Sequence, residues 1–303
     1  MATQQDKRGE RITVRRPNQR HELGWFRTWA VMVNNVVESR DLIWQLFKRD
    51  FLAQYKKSFI GFTWIFFAPV MGIVSWLFLK EAQVLKPGDV GAPFPLYVLL
   101  GSSLWGLFMG FYHGSRDTLS SGKQLVMKVN YPHEALLFKQ AAQRVAQFSL
   151  TFCVLMVAML AYRQPLHWQI LVLPLALLPM FLFASAIGLV LSMTSIVAVD
   201  FTRVFNRGMS FLMYLTPVIY APNAIEVENP TLRSVVAHVL KINPLTYLVG
   251  CPRNLLLHGT LNDPTGFYEP WSFFIWSAGA LVLFLISWRL FFVSEHMIVE
   301  RML

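Results

Sequence analysis

Few residues in this sequence are spaced for catalysis. A phosphate-cradling loop needs a glycine-rich turn ending in Gly-Lys-Ser or Gly-Lys-Thr, so that backbone amides and the lysine surround the phosphates. The Gly122-Lys123 pair is followed by Gln124, and Asp117 stands where the motif's first glycine belongs. His133-Glu134 opens no zinc-binding helix, because Leu137 occupies the position of the second histidine. Cys153 and Cys251 fall in different segments, which predicts two free thiols and no zinc set. Ionisable groups are nearly missing from the apolar runs, and Asp200 lies at the end of one. Proton relays inside a membrane are built from such groups, so proton coupling is not expected. What remains is recognition by aromatic and basic side chains.

The elements that must position those side chains follow from composition. Of the 303 residues, 55% are hydrophobic and 15% charged, with a mean hydropathy of +0.44. A soluble domain carries about 25% charged residues. These values exclude a soluble enzyme, a disordered regulator and a disulfide-stapled module. Residues 1–24 are polar and basic, lack the apolar core of a secretory signal, and read as a flexible cytoplasmic tail. Residues 25–58 read as a cytoplasmic, amphipathic interface helix. Within it Ile43, Phe47 and Phe51 recur four apart and give 40–57 an apolar side for the headgroup boundary.

Residues 59–303 read as an all-α membrane domain of six transmembrane helices. The expected spans are 59–79, 96–112, 145–162, 170–199, 208–221 and 271–293. Between the fifth and sixth, the apolar stretch 242–257 is broken at Asn243-Pro244 and again at Pro252-Arg253. A stretch so short and interrupted predicts an external re-entrant helix pair; an external loop packed on the bundle is the other reading. Gly106, Gly110 and Gly114 form a small-residue row in the second span, expected to let a neighbouring helix approach closely.

The net charge of +10 would point to nucleic acid in a soluble protein. Here 14 of the 20 Lys and Arg residues near span ends fall on one side of the six spans. By the positive-inside rule that side, with both termini, is cytoplasmic, and the charge reports orientation and lipid rather than nucleic acid. On the same side, Leu125 to His133 mixes exposed apolar residues with Lys128 and Tyr131 before Pro132. Such a short helix suits docking in another protein's groove, an interfacial helix on lipid being the alternative. Trp64, Trp76, Trp105, Phe108, Tyr112, Tyr214 and Tyr220 lie in or near spans. Aromatic faces stack on sugar rings, and the same side chains also serve as core or lipid contacts.

These segments carry a family resemblance. Gln54 to Trp64 with the following Pro69, Leu125 to Pro132, and Asp200-Phe-Thr-Arg203 resemble successive motifs of ABC-2 type polysaccharide exporter permeases. Thr216-Pro217-Val-Ile-Tyr220 and Ile242-Asn243-Pro244-Leu245 continue the pattern in order; the tail before residue 25 stands outside it. The resemblance implies a homodimer in the bacterial inner membrane, served by two copies of a separate ABC ATPase that would hold the ATP and Mg. No cofactor is expected in this chain. The implied cargo is a lipid-linked glycan such as O-antigen, capsule or teichoic acid. Asp50, Tyr55, Lys56, Arg116, Val126, Lys128, Val129, Tyr131 and Pro132 would couple to the ATPase. Asn243, Pro244 and Pro252 would belong to an outer gate, and the seven aromatics to the substrate path. The alternatives are an ABC-2 permease for a small molecule or lipid and a membrane-embedded glycosyltransferase. The latter would need clustered carboxylates for a metal or a base, and the sequence has no such cluster.

Overall fold

The computed structural model describes residues 3–5, 11–13, 24–56, 63–119, 133–224, 229–267 and 269–302. Thr3–Gln5 and Arg11–Thr13 pair as a small antiparallel hairpin; everything larger is helical. In chain order the helices are α1 (Trp25–Glu38), α2 (Arg40–Lys56), α3 (Trp64–Glu81), α4 (Phe94–Arg116) and α5 (Glu134–Ala161). A 3-10 turn at Trp168–Val172 leads into α6 (Leu173–Val197), then α7 (Val199–Leu212), α8 (Pro230–Ile242), α9 (Pro244–His258) and α10 (Pro270–Met302).

Among the described residues, four helical stretches are long and apolar enough to cross a bilayer: Phe94–Arg116, Glu134–Ala161, Trp168–Ser195 and Pro270–Ser294. They cover the expected second, third, fourth and sixth spans. The start of the expected first span, residues 57–62, lies outside the described residues; α3 occupies the rest of it. The expected fifth span differs. α7 begins earlier, at Val199, and ends at Leu212, and residues 213–221 continue as turns and bends. Pro217 denies that segment a backbone donor, so a helix could not have run through it undisturbed. The interface region is likewise two helices, α1 and α2, separated at Ser39.

α4 is the central helix, with 67% of its spanning window buried against 11% for α5. Its start is set by Pro93 and by Pro95 in the first turn, where a missing N–H costs nothing. It packs on α6 at Gly188, where an added Cβ would lie 2.6 Å from the Tyr112 carbonyl oxygen and 2.7 Å from Ser115 Cβ. Only glycine permits that approach. The glycine row divides: a Cβ on Gly110 would meet Arg144 Cδ at 3.0 Å and one on Gly114 would meet Gln140 Cβ at 3.3 Å, both on α5, whereas Gly106 has open space. α10 is 33 residues long. At about 1.5 Å per residue it outruns a hydrocarbon core of about 30 Å, so its last turns project beyond the bilayer. Within the spanning stretch Pro270–Ser294, Phe284, Trp288, Phe291 and Phe292 join Met32 of α1 and Leu137 of α5 in one apolar cluster toward the basic end of the bundle.

Candidate functional site

Two constructions sit at opposite ends of the bundle. At the basic end α2 is tied to α5. Lys139, 6% exposed, donates to the Asp50 carboxylate at 3.0 Å, and Arg49 donates to the same carboxylate at 2.7 Å. Partial burial disfavours the charge on Asp50, but hydrogen bonds and attraction from Arg49 and Lys139 outweigh it and hold the carboxyl below its ordinary value. One turn further along, the Gln147 amide donates to Gln54 at 2.9 Å. The Asn35 amide of α1 reaches Glu134, at the start of α5, at 3.4 Å.

Of the residues expected to couple to an ATPase, Asp50 therefore faces its own chain. Arg116 forms a fork with Asp117, at 2.8 and 3.1 Å. Tyr55 and Lys56 lie in the last turn of α2, and their side chains, like Val126, Lys128, Val129, Tyr131 and Pro132, lie outside the described residues. On either side of residues 120–132, α4 ends at Arg116 with Thr118 hydrogen-bonded back to the Gly114 carbonyl, and α5 begins at Glu134.

The opposite end holds the bent pair. α8 and α9 meet at Asn243 with a bend of 72°. Asn243 caps α9 by accepting from the Leu245 N–H at 3.0 Å. Its amide nitrogen donates to the Leu215 carbonyl and to Thr216 Oγ1, both at 2.9 Å. Pro244 opens α9, and Pro252 is buried inside it. Arg253, expected with Pro252 to interrupt the apolar stretch 242–257, instead lies inside an unbroken α9 and is the centre of this region. Arg253 is 2% exposed and donates to the carbonyls of Pro217 at 2.7 Å and Val218 at 3.3 Å, with its guanidinium 3.9 Å from the Tyr97 ring centroid. The Tyr97 hydroxyl donates to the Tyr220 carbonyl at 3.0 Å, and the Tyr220 hydroxyl to the Tyr214 carbonyl at 2.9 Å. Gly101 completes the fit, since a Cβ there would fall 2.1 Å from the Val218 oxygen.

The chemical sense of this network is backbone satisfaction. Buried non-helical backbone survives only where protein or water meets its polar groups. Segment 213–221 has left its helix, and α9, Asn243 and α4 supply the donors its carbonyls need. The sequence signal for Arg253 was present as a lone cation within the apolar run Leu245–Leu257.

The seven candidate path aromatics separate by position. Trp105, Phe108, Tyr112 and Tyr220 are buried in the core of the chain, with the Tyr112 hydroxyl donating to Asn206 of α7. Trp76 packs partly buried against that core, Tyr214 is 59% exposed, and the Trp64 side chain lies outside the described residues. Among the described residues no three His, Cys, Asp or Glu side chains gather as a metal set, and neither Cys153 nor Cys251 is in a disulfide.

Comparison with known proteins adds the family. Residues 41–257 match the model of the ABC-2 type transporter family. The chain is 25% identical over 218 residues to the O-antigen export system permease protein RfbA of Myxococcus xanthus, covering 72% of this chain and 81% of that protein. An O-antigen export system permease protein RfbA of Klebsiella pneumoniae is 21% identical over 226 residues, covering 73% and 82% respectively.

Proposed function

This chain belongs to the ABC-2 type transporter family, and from that premise we propose that it is the membrane-spanning subunit of an ATP-driven O-antigen exporter. The observation that carries the cargo is the pair of O-antigen export permeases aligned along about three quarters of this chain. It is an integral membrane protein whose energy comes from a separate ABC ATPase, which binds the ATP and Mg; Gly122-Lys123-Gln124 offers no phosphate loop of its own. The full arrangement is six spans in the bacterial inner membrane with both termini cytoplasmic, which the 14-to-6 split of flanking cations supports.

The working unit is a homodimer with two ATPase copies. α7 supports it. Val204 is 73% exposed and Phe211 62%, with Gly208 open between them, a stripe at i, i+4 and i+7 that no other helix covers among the described residues, and Leu215 in the turns beyond is 50% exposed. The same helix exposes Asp200, Arg203, Arg207 and Ser210, a polarity that acyl chains tolerate poorly but a second protein surface or an aqueous path accepts. Between two such copies Tyr214, and Trp76 on the flank, supply aromatic faces to a lipid-linked glycan.

In this mechanism the ATPase grips the 120–132 segment and the base of α2. The Asp50–Lys139 bridge makes α2 and α5 move together, and α4, packed on α5 and α6, carries the displacement to the far end. There the network of Arg253 and Asn243 holds segment 213–221 to the bent pair, so that the outer gate responds as one piece.

Co-purification of this chain with a soluble ATPase whose turnover depends on it tests the reading. Transport by the chain alone, without an ATPase, would overturn it. More narrowly, Val126→Asp with Val129→Asp should abolish ATPase binding while the bundle stays folded; unchanged complex yield refutes the docking role.

A further inference from the structure

A second feature at the basic end is a groove of about 430 Å³ between α1, α2 and α5. α1 contributes Val37, α2 contributes Ile43, Trp44 and Phe47, and α5 contributes Phe138 and Ala142; Arg40 stands at its lip. Its lining residues Trp44 and Phe47 stack at 5.3 Å, and Phe51, outside the groove, backs Phe47 at 5.5 Å. The Asp50–Lys139 and Gln54–Gln147 bonds pin α2 against α5, so the walls are set before anything enters.

From this arrangement we infer that the groove is a binding site for one acyl chain of an anionic bilayer phospholipid, whose headgroup rests on Arg40 and Lys48. Three observations select that occupant. Apart from Arg40 and the Trp44 indole N–H the lining is apolar, so an extended peptide would leave backbone groups unsatisfied there, whereas an acyl chain has nothing to satisfy. Val145, about one turn beyond the lining residue Ala142 on α5, is 51% exposed where the expected third span begins, so the groove adjoins lipid-facing surface. Arg40, Trp44 and Lys48 are spaced i, i+4, i+8 on one face, and the Lys48 ammonium sits 5.0 Å from the Trp44 ring centroid. The nearby acids weaken this little. Asp41 lies 3.9 Å from Arg40 in open solvent, and Glu38 accepts from Asn34.

The site would make the seating of the interface helices depend on anionic lipid. It rests on the membrane-subunit reading but not on the cargo, and its test involves no transport. The purified full chain is loaded with phosphatidylglycerol or phosphatidylcholine and examined by native mass spectrometry for lipid retained after delipidation. Phosphatidylglycerol is expected to be retained preferentially. Arg40→Gln and Lys48→Gln should each weaken retention about fivefold. Ala142→Phe, which fills the groove, should abolish it at an unchanged melting temperature. Should that variant fail to fold, Val37→Trp closes the groove from its exposed wall. Equal retention of the two lipids, or undiminished retention in the filled variants, overturns the proposal. So does a cross-link from Val37→Cys to a second copy of the chain or to the ATPase. A chain that retains the lipid as expected but moves no O-antigen would instead count against the exporter reading alone.

Discussion

Replacing Arg253 by Met tests the outer network at its centre. The substitution removes two hydrogen bonds from a charged donor, to the Pro217 and Val218 carbonyls, and the contact with the Tyr97 ring. Each bond to a charged group contributes about 1.5–3 kcal/mol, and a desolvated cation–π contact about 2 kcal/mol. Against these stands the relief of no longer burying a guanidinium, which in other buried ion pairs offsets much of the gain. Met fills the volume but cannot donate, so two carbonyls remain buried without their partner, at about 1–3 kcal/mol each. The net expectation is a loss of about 3 kcal/mol, concentrated where segment 213–221 meets α9. Cys251, buried two residues before Arg253, is a native reporter once the exposed Cys153 is changed to Ala. In that background Arg253→Met should raise the maleimide labelling rate of Cys251 about a hundredfold, because labelling follows the population of the locally open state. Arg253→Lys, which keeps the charge but loses the planar fork, should fall between. If Arg253→Met labels at the parental rate, the guanidinium does not hold the segment and the argument fails.

Other outcomes follow from the same geometry. Lys139→Met should leave the partly buried Asp50 with Arg49 alone, cutting the tie between α2 and α5, and lower both stability and transport per ATP, and the exchange Asp50→Lys with Lys139→Asp should recover much of the loss; no recovery would mean that the pair does not couple α2 to α5. Because the folded-state pKa of Asp50 is depressed, the stability it contributes is fully present above its ordinary 3.8 and disappears as pH falls through the lower folded value. Asp50→Asn should therefore remove part of the acid-induced loosening below about pH 4, measured by melting temperature against pH. Gly188→Val should break the α4–α6 contact and cost at least about 1–3 kcal/mol, since its Cβ would meet backbone at 2.6 Å, while Gly106→Ala should be close to neutral; equal effects on chemical denaturation would refute that packing.

Much of the architecture was legible because hydropathy is a local property of the chain. Helices α4, α5, α6 and α10 are long apolar runs, and each appears in the structure near its expected position. The break at Asn243-Pro244 was legible for a related reason: an Asn ahead of a Pro caps a new helix whatever surrounds it. The helical extent of the fifth apolar segment was not legible, because residues 208–221 are apolar enough to span, yet apolarity says nothing of whether the backbone stays helical past Leu212. That depends on donors from elsewhere, and with Pro217 in the segment the chain turns instead.

The charges show most clearly what one dimension omits. Arg253 and Lys139 entered the orientation count as flanking cations, and the fold buries both. Neither burial can be read from neighbours in sequence, because the compensating groups are distant: Lys139 meets Asp50 across 89 positions, and Arg253 meets Pro217 across 36. The sequence by itself determined that this is a membrane protein, with no phosphate loop and few ionisable groups in its apolar runs. Those are statements about composition and motifs, which are complete once the residues are written in order. Only the tertiary structure decided which polar groups are buried together, because a charge is stable inside an apolar bundle only where folding brings its partner within about 3 Å.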